Sequence, residues 1–197
     1  MIIQNSKKKY NSLREKQQKI RKSFPIFYQN LVSNIICKKI SLLKKYYLSK
    51  NIALYWPIKG EINLNPLWLY SLLNKKKCYF PFMKKNKTLS FLQAKSNTPF
   101  IKNKYNILEP DCKKSKKIAL KKLDIIFIPI VAFDKNCNRL GMGYGYYDRT
   151  LSYKKNIPTL IGVAYDTQYI HHINKNHWDI SINLIITQYS TYYKIIA

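Results

Sequence analysis

The chain has 197 residues, of which 36 are Lys or Arg and nine are Asp or Glu, giving a formal net charge of +27. Hydrophobic residues make up 46%, which excludes a disordered polyelectrolyte and allows a substantial core. No apolar run reaches the roughly eighteen residues of a membrane span, and Cys37, Cys78, Cys112 and Cys137 form no C-x-x-C pair, which argues against a zinc ribbon or disulfide framework.

In chain order, residues 6–23 are polar, with Leu13 and Ile20 seven apart, and predict a surface helix ended by Ser23-Phe24-Pro25. Residues 26–48 predict one amphipathic helix, with Phe27, Leu31, Ile35, Ile36, Ile40 and Leu43 at helical spacing. Residues 52–56 predict a strand closed by Pro57, and Lys59-Gly60-Glu61 a turn. Residues 63–75 predict a helix through Leu64, Leu67, Trp68 and Leu72. Cys78-Tyr79-Phe80 predict a strand closed by Pro81, followed by a hairpin over 82–94 around Lys84-Lys85-Asn86-Lys87. The polar stretch 95–122, with a turn at Glu109-Pro110, predicts a long loop or flap. Residues 123–133 are continuously apolar and predict a strand buried on both faces of a parallel sheet. A helix is expected from Tyr146 to about Lys154, strands at 159–164 and 182–186, and packing by Tyr192-Tyr193 at the C-terminus. Strands alternating with helices predict an α/β fold with a mainly parallel sheet, as one domain over residues 1–197.

The charge alone suggests a nucleic-acid partner. Only four of the basic residues are arginines, however: Arg14, Arg21, Arg139 and Arg149. Lys, Asn, Ile, Tyr and Phe, all abundant here, have A/T-rich codons, and the lysines spread over the whole chain. Genome bias accounts for such a composition, so neither nucleic acid nor membrane is expected as a partner. The N-terminus shows no apolar stretch followed by a cleavage site, so no signal peptide is expected, and free thiols fit a cytoplasmic location.

Glycine is scarce, yet three of the five glycines fall in Arg139-Leu140-Gly141-Met142-Gly143-Tyr144-Gly145-Tyr146-Tyr147-Asp148. Glycines allow backbone conformations that a Cβ forbids. Alternate glycines beside an arginine suit a loop whose N–H groups face an anion, usually phosphate. The string is neither a Walker A loop nor a dinucleotide fingerprint. His171-His172 and His177 invite a metal reading, but adjacent side chains diverge and no carboxylate pattern supports it. A basic, aromatic-rich chain that stacks single-stranded RNA is the competing reading. The long apolar strands and clustered glycines favour an enzyme.

With its neighbours, the string resembles the 5-formyltetrahydrofolate cyclo-ligase (5,10-methenyltetrahydrofolate synthetase) family. The similar segments are Pro129-Ile130-Val131-Ala132-Phe133-Asp134, Arg139 through Arg149, Ser12-Leu13-Arg14, Gly60-Glu61-Ile62, Glu109-Pro110, Gln168, Trp178-Asp179 and Ile185-Ile186-Thr187. Departures are Tyr10, where the family often has Lys, Ile173-Asn174 in place of Leu-Pro, and Gln188 in place of an acid.

The resemblance implies a NagB/RpiA/CoA transferase-like fold and a monomeric ligase that forms a C–N bond. That ligase converts 5-formyltetrahydrofolate, with ATP as co-substrate and Mg²⁺ as cofactor, into 5,10-methenyltetrahydrofolate, ADP and phosphate. It also implies roles for the residues. Arg139 and Tyr147 would be catalytic. Lys9, Arg14 and the run Arg139, Leu140, Gly141, Met142, Gly143, Tyr144, Gly145, Tyr146 and Tyr147 would bind ATP. Trp56, Glu61, Met142, Gly143, Tyr144, Gly145 and Tyr146 would bind the folate, with Trp56 or Tyr144 stacking on the pterin. Asp148 and Asp179 would hold Mg²⁺.

Overall fold

The structure is a computed structural model that describes residues 2–152, 157–176 and 178–195, with side chains from Tyr10 onward. The sequence-based reading of His177, and the end of the helix expected to run to about Lys154, lie outside the described residues. Helices α1 (Ile2–Ser23), α2 (Ile26–Ser41) and α3 (Lys44–Leu48) precede β1 (Asn51–Ala53), α4 (Asn65–Leu73), β2 (Lys77–Met83) and β3 (Leu89–Ala94). Short strands β4 (Phe100–Lys102), β5 (Leu108–Pro110) and β6 (Lys117–Ile118) follow. Then come β7 (Ile125–Pro129), β8 (Ala132–Phe133), β9 (Arg139–Leu140), α5 (Tyr146–Leu151), β10 (Thr159–Val163), β11 (Leu184–Ile186) and β12 (Thr191–Tyr193).

Eight strands form one sheet in the order β12-β11-β10-β7-β1-β2-β3-β6. The run β11, β10, β7, β1, β2 is parallel, and β12, β3 and β6 pair antiparallel at the two sides. Strand β7 shows why the sheet is buried twice. Ile125 and Phe127 join a core with Val32, Ile36 and Ile40 of α2, whereas Ile126 and Ile128 join one with Leu151, Leu160 and Ile185. Alternate side chains of a strand point to opposite faces, so an unbroken apolar run fills both. From β1 the chain steps outward to β2 on one side and to β7, β10 and β11 on the other. The topological switch therefore lies between β1 and β7, where open α/β sheets carry their ligand crevice.

Several sequence-based expectations differ from the structure. The helix expected over 26–48 is interrupted at Leu42-Leu43, where the extended backbone of Leu43 turns α3 so that Tyr46 is buried with its hydroxyl 2.6 Å from Ser71 Oγ. Its buried face is Val32, Ser33, Ile36, Cys37 and Ile40, while Phe27, Leu31 and Ile35 are exposed. Strand β2 continues through Pro81, because β1 ends opposite Tyr79 and the imide nitrogen faces no partner strand. The stretch 95–122 contains the β4–β5 hairpin, and Tyr192-Tyr193 belongs to the edge strand β12.

The apolar run 123–133 leaves the sheet after Pro129. The Ile130 carbonyl accepts from Arg21 (3.0 Å) and Gln168 (2.6 Å), the Val131 carbonyl from Gln168 (2.8 Å), and Val131 N–H donates to Leu140. Side chains here satisfy the backbone groups that a ladder would otherwise use. Helix α1 docks through a polar stripe at helical spacing. Tyr10 bonds Asn174, Arg14 bonds Gly141, Gln17 bonds Thr167 and Arg21 bonds Ile130.

Candidate functional site

A cleft of about 740 Å³ opens at the carboxyl ends of β1, β2 and β7. Tyr55 and Trp56 after β1, Pro81 and Met83 of β2, and Pro129 of β7 line its floor. Residues 139–149, the Ile58–Glu61 turn, Tyr10 and Arg14 of α1, and residues around Asn174 and Asp179 complete it. The structure thus brings Arg14, Trp56, Glu61, the whole Arg139–Asp148 run and Asp179 into one cavity. Lys9 belongs to α1, and its side chain lies outside the described residues.

The glycine run forms a loop between β9 and α5. Gly143 has φ +93°, and a Cβ there would stand 3.3 Å from Arg14 Cζ. The close approach of the arginine and the left-handed backbone both require glycine. Arg14 Nε donates to the Gly141 carbonyl at 2.8 Å, and Arg149 donates to the Tyr144 carbonyl. The backbone N–H groups of residues 141–145, by contrast, donate to no acceptor among the described residues. The loop therefore presents its N–H donors while the Gly141, Tyr144 and Gly145 carbonyls are already taken, a polarity that suits an anion. Burial lowers the pKa of Arg14, partly offset by Asp179. Arg14 carries charge at any physiological pH all the same.

Arg139 is held by two contacts. Its Nη1 donates to the Ile180 carbonyl, and its Nη2 donates to Asp148 Oδ1 at 2.8 Å, with the Arg139 side chain only 5% exposed. Asp148 Oδ1 also accepts the Ile180 N–H at 3.3 Å. Asp179 Oδ2 accepts the N–H (2.8 Å) and side-chain amide (3.0 Å) of Asn176. The two carboxylates expected to hold a metal thus line one cleft with part of their capacity already used. Among the described residues, no group of three or more His, Cys, Asp or Glu side chains is assembled to hold an ion.

Glu61 is buried, 3.8 Å from Arg21 Nη2, and accepts the Ile58 N–H at 3.1 Å. Desolvation pushes its carboxyl up to about 7, against the lowering pull of Arg21. Tyr147 lies within the fields of Glu61 and Arg139, and burial holds its hydroxyl protonated.

The aromatic residues divide. Trp56 packs on Phe100 (5.1 Å between ring centroids) and Phe80 (6.3 Å). Tyr144 is 55% exposed and faces Tyr105 at 5.4 Å. Tyr105 sits on the β4–β5 hairpin, which sequence reasoning took for a loop, so this cleft residue was missed, as were Tyr10, Tyr55 and Met83. Asn103 is the signal within that stretch. Its side chain accepts from Tyr105 and Ile107 N–H and donates to the buried Glu109, so the turn is anchored to the sheet.

A family model described as the 5-formyltetrahydrofolate cyclo-ligase family matches residues 6–188. A 5-formyltetrahydrofolate cyclo-ligase of Haemophilus influenzae is 35% identical over 179 residues, 88% of this chain and 95% of that protein. One of Mycoplasma genitalium is 36% identical over 70% of this chain and 72% of its own length. The solved 5,10-methenyltetrahydrofolate synthetase of Aquifex aeolicus matches with a TM-score of 0.82 and 29% identity, over 93% of this chain and 92% of that one. The family-model match spans every cleft residue from Tyr10 to Asp179, and the chain belongs to the 5-formyltetrahydrofolate cyclo-ligase family, a family of ligases.

Proposed function

We propose that the protein closes the ring of 5-formyltetrahydrofolate to give 5,10-methenyltetrahydrofolate, coupled to conversion of ATP to ADP and phosphate in the cytosol. The observation that carries the ATP part is the donor-rich loop. Five consecutive N–H groups, residues 141–145, find no acceptor among the described residues and lie beside Arg14 and Arg139, in a cleft large enough for two ligands. Preorganised donors of this kind stabilise charge spread over a transferring phosphoryl group.

An amide oxygen leaves poorly, and phosphorylation makes it a good leaving group. The formyl oxygen attacks the γ-phosphorus, and ADP departs. The neighbouring aniline nitrogen attacks the formyl carbon and loses its proton as phosphate leaves. The loop and Arg14 hold the phosphates, and Arg139 faces the transferring group with a guanidinium fixed by Asp148 and Ile180. Tyr147, protonated between Arg139 and Glu61, donates to the oxygen that carries the phosphoryl group. Glu61 accepts pterin N–H groups at the buried end, and Tyr144 with Tyr105 covers the exposed end. Positioning supplies most of the acceleration in such a reaction.

The residues present fit Mg²⁺. Asp148 Oδ2 and Asp179 Oδ1 have no protein partner among the described residues, and Mg²⁺ bound with nucleotide needs only one or two carboxylates beside phosphate oxygens and waters. There it would neutralise charge on the β- and γ-phosphates.

The test is to mix the protein with 5-formyltetrahydrofolate and MgATP and follow the near-ultraviolet band of the methenyl product. Growth of that band that requires both ATP and Mg²⁺ is the expected result. No growth from folded protein that binds ATP overturns the reading.

A further inference from the structure

Arg21 is 1% exposed, yet it does not line the cleft. Its Nη1 donates to the Ile130 carbonyl at 3.0 Å, which anchors the guanidinium where β7 leaves the sheet. Its Nε and Nη2 have no hydrogen-bond partner among the described residues, and Nη2 stands 3.8 Å from Glu61 Oε1. That separation is too long for a hydrogen bond but close enough for strong coupling between buried charges. A forked arginine would occupy both carboxylate oxygens. Here the guanidinium supplies charge without occupying either oxygen, so that beyond the Ile58 N–H on Oε2 the carboxylate keeps acceptor capacity for a ligand.

The backbone enforces the arrangement. Gly60 has φ +72°, and a Cβ there would come within 2.7 Å of the Arg21 carbonyl oxygen. The turn carrying Glu61 is therefore pressed against α1 at the residue that supplies the counter-charge. Buried ion pairs are poor stabilisers, and apolar replacements often serve stability equally well. A pair with two unpaired guanidinium donors is poorer still, so stability does not account for it.

We propose that Arg21 is a positioning residue of the folate subsite, which fixes the Glu61 carboxylate at the buried end of the cleft and favours its ionised form without itself touching substrate. The proposal rests on the reading that Glu61 receives the pterin. The groups facing Glu61 are Arg21 from α1, Lys59 from its own turn, Tyr55 after β1 and Tyr147 from α5. Both tyrosines are held protonated by burial. Arg21 is thus the buried cation that faces this carboxylate. An ionised carboxylate is the better acceptor for N–H donors, so folate capture should strengthen as pH rises through the titration of Glu61, and Arg21 should set its midpoint.

The experiment measures kcat/KM for 5-formyltetrahydrofolate against pH, with KM for ATP alongside, in wild type, Glu61→Gln, Arg21→Met and Arg21→Lys. Glu61→Gln is expected to raise the folate KM by roughly tenfold or more and to flatten the rise with pH. An unchanged folate KM in that variant overturns the assignment of Glu61, and the role of Arg21 with it. If Glu61→Gln behaves as expected, Arg21→Met should move the rising limb up by about 1 pH unit or more, because an opposite charge nearby holds a carboxyl down by that amount. Arg21→Lys, which keeps a cation, should stay near the wild-type midpoint, and KM for ATP should hold in all variants. An Arg21→Met limb superimposed on the wild type, or a loss equal at every pH and shared by ATP, overturns the proposal. Should Arg21→Met not fold at neutral pH, the Arg21→Met, Glu61→Gln double variant should fold, because it leaves no unpaired buried charge. Failure of the double variant reduces Arg21 to packing and overturns the proposal.

Discussion

Arg139 Nη2 donates to Asp148 Oδ1 at 2.8 Å, so a cation assigned to phosphate and an anion assigned to the metal are partners before either meets a ligand. The pair spans the glycine loop from β9 to α5. Each residue fixes the other, and the Ile180 backbone binds both. Their functional losses should therefore not add. Arg139→Ala and Asp148→Asn should each lower kcat/KM for ATP by roughly ten- to hundredfold, the range for a lost charged hydrogen bond, and the double variant should fall short of the product. Asp148→Asn should also raise the Mg²⁺ concentration at half-maximal rate several-fold. A double-mutant cycle at varied Mg²⁺ measures both, and simple multiplication of the two losses would contradict the coupling.

Two glycines of the loop should respond differently to the same methyl group. At Gly143 the positive φ and the nearby Arg14 guanidinium make alanine strained, and Gly143→Ala should cost about 1–2 kcal/mol in folding. At Gly141 a Cβ meets nothing within 4 Å, so Gly141→Ala should fold as well as wild type. Its methyl group stands in the cleft wall, so ATP affinity should drop there too. Denaturant melts paired with ATP titrations separate the two outcomes.

The carboxyl of Glu61 keeps its proton to about pH 7 in the fold, against about 4.5 when unperturbed. Across that interval the folded state holds a proton that the unfolded chain has released. Stability contributed by this group therefore declines as pH rises from about 4.5 to 7 and levels off above. Glu61→Gln removes the decline. The difference in Tm between Glu61→Gln and wild type should grow in favour of the variant over that interval, and a difference that is flat with pH would rule out the raised titration.

Far from the cleft, Lys76 Nζ donates to the carbonyls of Tyr46 (3.0 Å), Tyr47 (2.9 Å) and Ser49 (2.7 Å). These are carbonyls at the end of α3, of which that of Tyr46 also accepts the Ser49 N–H, and one cation closes them together. Lys76→Met should destabilise the protein by on the order of 2 kcal/mol while kcat and both KM values stay unchanged. Thermal melts and steady-state rates check the two halves of that statement.

The two-sided core was legible because β7 is apolar without interruption, and only a strand covered on both faces keeps such a composition. The phosphate-facing loop was legible for a related reason. In a chain that otherwise avoids glycine, three at alternate positions mark a backbone that must expose its N–H groups. The β4–β5 hairpin was not legible, because lysines dominate 95–122 and its order comes from Asn103 and Glu109 reaching back to the sheet. The break after Pro129 was hidden for the same reason, since distant Arg21 and Gln168 satisfy the carbonyls there.

What the sequence determined by itself is thus the set of local rules: which segments alternate, which run is apolar on both faces, where glycine is indispensable. The tertiary structure decided the pairings. Arg14 settles on Gly143, Arg21 stands behind Glu61, and Asp148 is claimed by Arg139. Spacing along a chain reports what neighbours in sequence do. The charge of a buried carboxylate and the reach of an arginine depend on groups brought from 40 residues away or from 127, and only the folded chain holds those distances.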